Sequence, residues 1–128
     1  MSTIRVDNFG PSAGGTTYSA RGIAKAWVNF NGTGTIAARD SENVSSLTDN
    51  GVGDFSINLS NAFGAADYAT SGFTGNDNIN GTVWVSGPAN VALSTWKQTG
   101  LTRMVCTYSN TLLTDCADVS LINHGDLA

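Results

Sequence analysis

The chain has 128 residues, enough for one domain with a core of ordinary size. Only 12% of them are charged against a usual share of roughly 25%, and net charge is −4 with six scattered basic residues (Arg5, Arg21, Lys25, Arg39, Lys97, Arg103), so no basic stripe exists to neutralise phosphates and a nucleic-acid partner is excluded. No run approaches the roughly 20 apolar residues of a membrane-spanning helix and no leader of basic and apolar regions opens the chain, so the expectation is synthesis in a cytoplasm without membrane insertion.

Residues 1–22 read as an N-terminal arm. Ile4 and Val6 alternate with polar residues and suit one short strand, after which Gly10-Pro11 and Gly14-Gly15 interrupt any regular element. Phe9 and Tyr18 are the arm's aromatic residues. Residues 23–128 read as the folded domain.

From Ala24 the strands follow quickly. Ala26, Val28 and Phe30 share one face, with Trp27 and Asn29 on the other. Asn31-Gly32-Thr33-Gly34 is the first turn signal, and Thr35–Arg39 returns. Val44–Thr48 leads to the second, Asp49-Asn50-Gly51-Val52-Gly53-Asp54. Asn and Gly tolerate the positive φ that tight hairpin turns demand, so both stretches read as hairpin turns. Phe55, Ile57 and Leu59 alternate with Ser56 and Asn58, the pattern of a strand with one buried face. Asn61–Asp67 is a connection with room for a helical turn. Tyr68–Phe73 and Gly81–Ser86 read as strands, Trp84 lying opposite Val83 and Val85. Leu93–Thr99 and Leu101–Tyr108 are predicted to pair through Thr99-Gly100. Cys116–Ile122 is the last strand, with Ala117, Val119 and Leu121 on one face. No window carries an apolar stripe of helical period. Strands spaced near 10 residues apart predict an all-β fold, an antiparallel sandwich with jelly-roll-like or barrel-like closure.

Chemistry-bearing patterns are sparse. Asp49, Asp54, Asp40 and Glu42 carry oxygen donors suited to Ca²⁺, but their spacing matches no standard loop, so they read as solvated acids beside turns and no metal is expected. Both glycine turns are flanked by strands and followed by no Lys, which rules out a phosphate cradle. His124 lies near the last residue and reads as part of a terminal segment, not as a catalytic base. No cofactor and no enzymatic activity are expected. Four matches to the glycosylation acceptor pattern read as by-products of Asn- and Thr-rich turns. Cys106 and Cys116 fall on adjacent predicted strands, where geometry decides whether a bridge forms; cytoplasmic synthesis favours two free buried thiols. Trp27, Trp84 and Trp96, with Tyr68, Phe63 and Phe73, fill the core or anchor an interface. Trp27 and Trp84 each oppose apolar neighbours in parity, so their strands are apolar on both faces. A two-layer monomer of this size leaves one such face uncovered, which predicts an oligomer. Low surface charge points the same way, since few charges need desolvating at a contact.

Three blocks, Ile4-Arg5-Val6-Asp7, Lys25–Thr35 (KAWVNFNGTGT) and Asn43–Asn58 (NVSSLTDNGVGDFSIN), together resemble a module of bacteriophage tail-fibre and related virion structural proteins. Val119–Gly125 fits the module's final strand. The resemblance spans most of the chain, while its specific motifs cover about a third. It implies an all-β virion protein, commonly a homotrimer, in which Asn31, Gly32, Gly34, Asn50, Gly51 and Gly53 define turns. It transmits no catalytic residues. The expected role is a short tail fibre or adhesin tip that contacts host surface glycan or protein and meets other virion proteins through the arm. A capsid decoration or cement protein is the alternative, suited to a short chain without a shaft. Ile4, Val6, Phe9, Tyr18, Trp27, Trp84 and Trp96 are the interface candidates. The region from Trp84 to Tyr108 departs from the family pattern.

Overall fold

The computed structural model describes residues 7–10, 13–19, 22–75, 83–88, 92–108 and 112–128. Ile4 and Val6 lie outside the described residues. Among the described residues all strand pairs are antiparallel, and two sheets face each other across one main core. The fold is an all-β sandwich.

Two short strands of the arm, β1 (Asn8–Phe9) and β2 (Tyr18–Ser19), pair with each other as a two-stranded sheet, Phe9 opposite Tyr18. The first large sheet contains β3 (Ala26–Asn31), β4 (Ala37–Glu42), β7 (Ala69–Gly75) and β12 (Asp118–His124), in the order β4-β3-β12-β7. The second contains β5 (Val44–Gly51), β6 (Asp54–Leu59), β8 (Val83–Ser86), β9 (Lys97–Gln98), β10 (Leu101–Tyr108) and β11 (Leu112–Leu113). Strand β10 is its hub. Thr102 pairs with Ile57 of β6 and Lys97 of β9, and Thr107 pairs with Leu113 of β11 and Trp84 of β8, so β6 and β11 occupy one edge and β8 and β9 the other.

The period-2 pattern sets which residues go inside. Val28 and Phe30, Phe55 and Ile57, Met104 and Cys106, and Val119 and Leu121 are all buried in the main cluster. The Phe30 and Phe55 rings meet edge-on with centroids 5.2 Å apart, the arrangement favoured by the ring quadrupoles. A second cluster of Ala26, Phe63 and Tyr68 closes one end, Phe63 stacking on Tyr68 at 4.2 Å. Tyr68 and Asn123 enter the core as polar residues because Thr102 serves both: its hydroxyl lies 2.7 Å from the Tyr68 hydroxyl and accepts from Asn123 Nδ2 at 3.0 Å. Burial without such partners would cost each group about 1–3 kcal/mol.

Several local expectations are corrected. Leu93–Thr99 is not a strand: Leu93–Trp96 forms a single helical turn (α1), and only Lys97–Gln98 returns against β10, through the predicted Thr99-Gly100 turn. Asn61–Asp67 contains no helical turn; Phe63 instead bridges to Leu127. Cys116 precedes the last strand, which starts at Asp118 and extends to His124. The return after the first turn starts at Ala37 and runs to Glu42.

Candidate interaction faces

The turn residues act differently from the expectation. Asn31, Gly32 and Asn50 do not adopt positive φ; Gly34, Gly51 and Gly53 do, and Asn43 is the only non-glycine among the described residues that does. Asn31 works through its side chain. Its Oδ1 accepts from the Thr33 N–H at 3.2 Å and the Thr33 hydroxyl at 2.8 Å, and its Nδ2 donates to the Thr33 carbonyl at 2.9 Å. Gly32 is required for closeness: a Cβ there would sit 2.9 Å from both the Cys116 carbonyl and the Phe55 ring. Asn50 bridges the outer side of the hairpin, donating to Ser56 Oγ at 2.8 Å and Asp54 Oδ1 at 3.3 Å.

Asn43, with φ of 57°, turns the chain from the first sheet into the second. Its Nδ2 donates to the carbonyls of Lys25 and Asn61, and its Oδ1 accepts from the Asn61 N–H at 2.7 Å. One side chain thereby fastens the entry to β3 and the exit from β6.

The acids considered for Ca²⁺ are dispersed. Asp40 and Glu42 lie on β4, and Asp49 lies near the far end of β5, so the eight-residue strand separates Glu42 from Asp49 by roughly 20 Å. Asp49 Oδ1 accepts the Gly51 N–H at 2.9 Å. Asp54 makes a two-pronged ion pair, receiving Arg103 Nε at 2.8 Å and Arg103 Nη2 at 2.5 Å. The Arg103 bond holds the Asp54 carboxyl below its usual range despite the opposing effect of burial, with Asn50 adding to the lowering. Arg103 is correspondingly raised, chiefly by its bond to Asp54. Among the described residues no group of three or more His, Cys, Asp or Glu could hold a metal ion. His124 Nδ1 lies 3.2 Å from the Gly22 carbonyl and lines an open cleft of about 460 Å³ with Asp67, Tyr68 and Asp126.

The two outer faces of the sandwich differ in chemistry. On the second sheet, Ser46, Thr48 and Asn50 of β5 stand beside Asn58, Ser56 and Asp54 of β6, with Arg103 of β10 opposite Ser56. Asn58 Nδ2 donates to Ser46 Oγ at 3.1 Å and Thr48 Oγ1 at 3.0 Å. This face is polar, its charges in the residues named are the paired Asp54 and Arg103, and its side chains are already tied to one another.

On the first sheet the outer face is apolar at its centre. Trp27 lies directly opposite Ile122 on β12, and Phe73 on β7 lies diagonal to Ile122, opposite Ser120. Trp27 is half-buried, Ile122 is 40% exposed and Phe73 is 70% exposed. Beside this patch a bulge between Asn29 and Phe30 leaves Arg39 as the extra residue of β4. A bulge re-aims a side chain, and here the guanidinium reaches the Phe30 and Ala117 carbonyls, Asn29 Oδ1 and Asp118 Oδ1.

Of the interface candidates, Trp27 joins this patch. Trp96 sits on α1, half-buried against Gly87, where a Cβ would come within 2.9 Å of the indole. Trp84 pairs with Thr107 in β8, at the edge of the other sheet. Ile122 is not among the sequence candidates, and Phe73 is named there only with the aromatics that fill the core or anchor an interface. Ile122 alternates with Val119 and Leu121 in a pattern that does reveal its outward parity, whereas Phe73 follows Ser71-Gly72, where no apolar alternation marks a face. Comparisons of the chain with models of protein families, with curated proteins and with solved structures found no match.

Proposed function

We propose that this chain is a structural component of a bacteriophage particle, a short tail fibre or adhesin tip that works as a homotrimer at the host surface. The observation that carries the reading is the resemblance of Lys25–Thr35 and Asn43–Asn58 to the virion module. These segments form most of β3, β5 and β6 and include Asn43, so the matching residues are those that build the sandwich. The apolar centre of the first sheet's outer face supports self-association, because Trp27, Ile122 and Phe73 form a contiguous patch that a neighbouring copy would remove from water. The hydrogen-bonded polar face of the second sheet then remains toward solvent and host.

A capsid decoration protein is the second reading. A compact sandwich with one apolar outer patch and a separate N-terminal hairpin also suits a cement protein seated between capsid subunits. Quantitative mass spectrometry of purified particles separates the two. Near one copy per capsid subunit or per few subunits means decoration, and a ratio tens of times lower means the tail. Absence from particles sinks both. Light scattering on the purified chain tests the trimer, and a monomer at micromolar concentration would refute it.

A further inference from the structure

We infer that Cys106 and Cys116 are an oxidisable pair that closes into an intramolecular disulfide when the chain folds under oxidising conditions. They are the only two cysteines of the chain, both are free thiols here, and both are fully buried in the main cluster. The backbone brings them together. Strand β10 pairs with β11 at Thr107↔Leu113, and the pairing continues one step further as the Thr114 N–H donates to the Cys106 carbonyl at 3.0 Å. Cys116 lies two residues beyond Thr114, on the same side as Cys106. The chain bends inward there, because the Cys116 carbonyl accepts the Gly32 N–H at 2.9 Å and so is held against the first sheet. The Cys116 side chain is near enough to Cys106 to help raise its thiol. Each has one further weak contact: Cys106 Sγ with Thr74 Oγ1 at 3.9 Å, and Cys116 Sγ with the Thr114 carbonyl at 3.8 Å. Neither contact is strong enough to hold a sulfur in place.

The bond would join β10 of the second sheet to the segment that leads into β12 of the first. It would therefore tie the two layers across the core, and the short ring between the cysteines would restrict the unfolded chain. With oxidised glutathione as oxidant, one protein thiolate attacks the glutathione disulfide and releases one reduced glutathione. The second protein thiolate then displaces the other glutathione from the mixed disulfide. One protein S–S bond forms, one glutathione S–S bond breaks, the protein loses two electrons and two protons, and two reduced glutathiones leave. Burial, chiefly, and the neighbouring Cys116 push the Cys106 thiol up to about 12, so in the closed core it supplies almost no attacking thiolate. Bridging therefore belongs to folding or to opening of the core. A chain made in a reducing cytoplasm stays a dithiol until it opens in an oxidising medium. None of this depends on the virion reading.

The test compares two samples of the full chain in the same mixed oxidised and reduced glutathione buffer, one kept native and one refolded from denaturant. The refolded sample should lose two hydrogens in intact mass, resist alkylation after denaturation, and yield a proteolytic peptide linking residues 106 and 116. It should keep the native circular dichroism and melt several degrees higher. The native sample should remain a dithiol over the same period. Cys106→Ser and Cys116→Ser chains should never lose the two hydrogens. A refolded chain that keeps both thiols, forms bridges only between chains, or closes the bridge while losing the native spectrum would overturn the proposal.

Discussion

Replacing Gly53 by Ala should be among the most damaging single-methyl changes available in this protein, and Gly34→Ala provides its internal control. Both glycines have nearly the same backbone, φ of 62° at Gly53 and 63° at Gly34, so an alanine pays the same left-handed penalty of about 1–2 kcal/mol at each. Their surroundings differ. At Gly34 nothing lies within 4 Å of the added Cβ. At Gly53 the Cβ would be 2.5 Å from the Thr114 nitrogen and 2.7 Å from the carbonyl oxygens of Cys106 and Thr114, all backbone atoms that no rotamer change can remove. The hairpin must move away from the segment after β11. That strains the Gly53 N–H bond to Asp115 at 2.6 Å and the Cys106 N–H bond to the Gly53 carbonyl at 2.7 Å. Overpacking of about 1–3 kcal/mol and hydrogen-bond losses of about 1 kcal/mol each bring the total at Gly53 to about 4–7 kcal/mol, a large share of an ordinary domain's stability. For a chain of this size that lowers Tm by roughly 15–30 °C, against only a few degrees at Gly34. Thermal and urea unfolding of the two variants, followed by circular dichroism, measures the difference. Equal destabilisation at both positions would refute the claim that close approach, and not turn conformation, demands glycine at position 53.

Three further outcomes are expected. Asp54 has its carboxyl lowered in the fold by Arg103, so its stabilising share is complete above the unfolded carboxylate range near pH 4 and is lost as pH falls through the lower folded value. Asp54→Asn should flatten that acid limb in urea titrations and cost about 1–3 kcal/mol at neutral pH, less than a fully buried pair because the Arg103 side chain is 28% exposed; an unchanged acid limb would contradict the assignment. Thr102→Val removes the oxygen shared by Tyr68 and Asn123 in the core; Tyr68 keeps the Gln98 and Leu101 carbonyls as acceptors, so the cost falls mainly on Asn123 Nδ2 and should be about 1–3 kcal/mol in chemical unfolding, whereas a change under about 0.5 kcal/mol would refute the role given to the Thr102 hydroxyl. Phe73→Ser combined with Ile122→Ser should convert the proposed trimer to monomer in sedimentation while leaving the monomer's circular dichroism intact, and a trimer that survives both changes would place its interface elsewhere.

The period-2 strands were legible because alternation is a local consequence of the pleat. Phe55, Ile57 and Leu59, like Ala26, Val28 and Phe30, declare their buried face with no knowledge of the partner strand. What was not legible depends on distant contacts. Asn43 looks like any polar turn residue until Lys25 and Asn61 arrive on either side of it. Arg39 reads as a routine strand residue, and only the register shift opposite Asn29 turns it toward Asp118. Trp96 was read as part of a strand because its window has no helical stripe; the single turn of α1 also has no side-chain cap at Ala92. Gly87, against which the indole rests, is the tertiary contact that compensates. Gly32 and Gly53 were recognised as turn residues for their φ, yet neighbouring backbone is what excludes a side chain at both, and chain neighbours alone do not reveal that.

The contrast between the two outer faces limits how copies of this chain would assemble. A side chain on the second sheet, such as Asn58, already spends its donors on Ser46 and Thr48, so covering that face with another subunit offers few new hydrogen bonds and little apolar area. The first sheet offers the opposite: the Trp27–Ile122–Phe73 patch gains from burial at roughly 25 cal/mol per Å² of apolar surface removed from water. At its border the Arg39–Asp118 pair is about half exposed and already neutralised within the chain, so a neighbour would not have to bring a matching charge. Glu42, opposite Trp27, and Asp40, opposite Asn29, are exposed on the same face, so self-association through the first sheet must also accommodate two acids, while it leaves the polar second sheet pointing outward. The sandwich thus has one outer face that is apolar at its centre and one that is polar and internally hydrogen-bonded, a difference already present in the single chain.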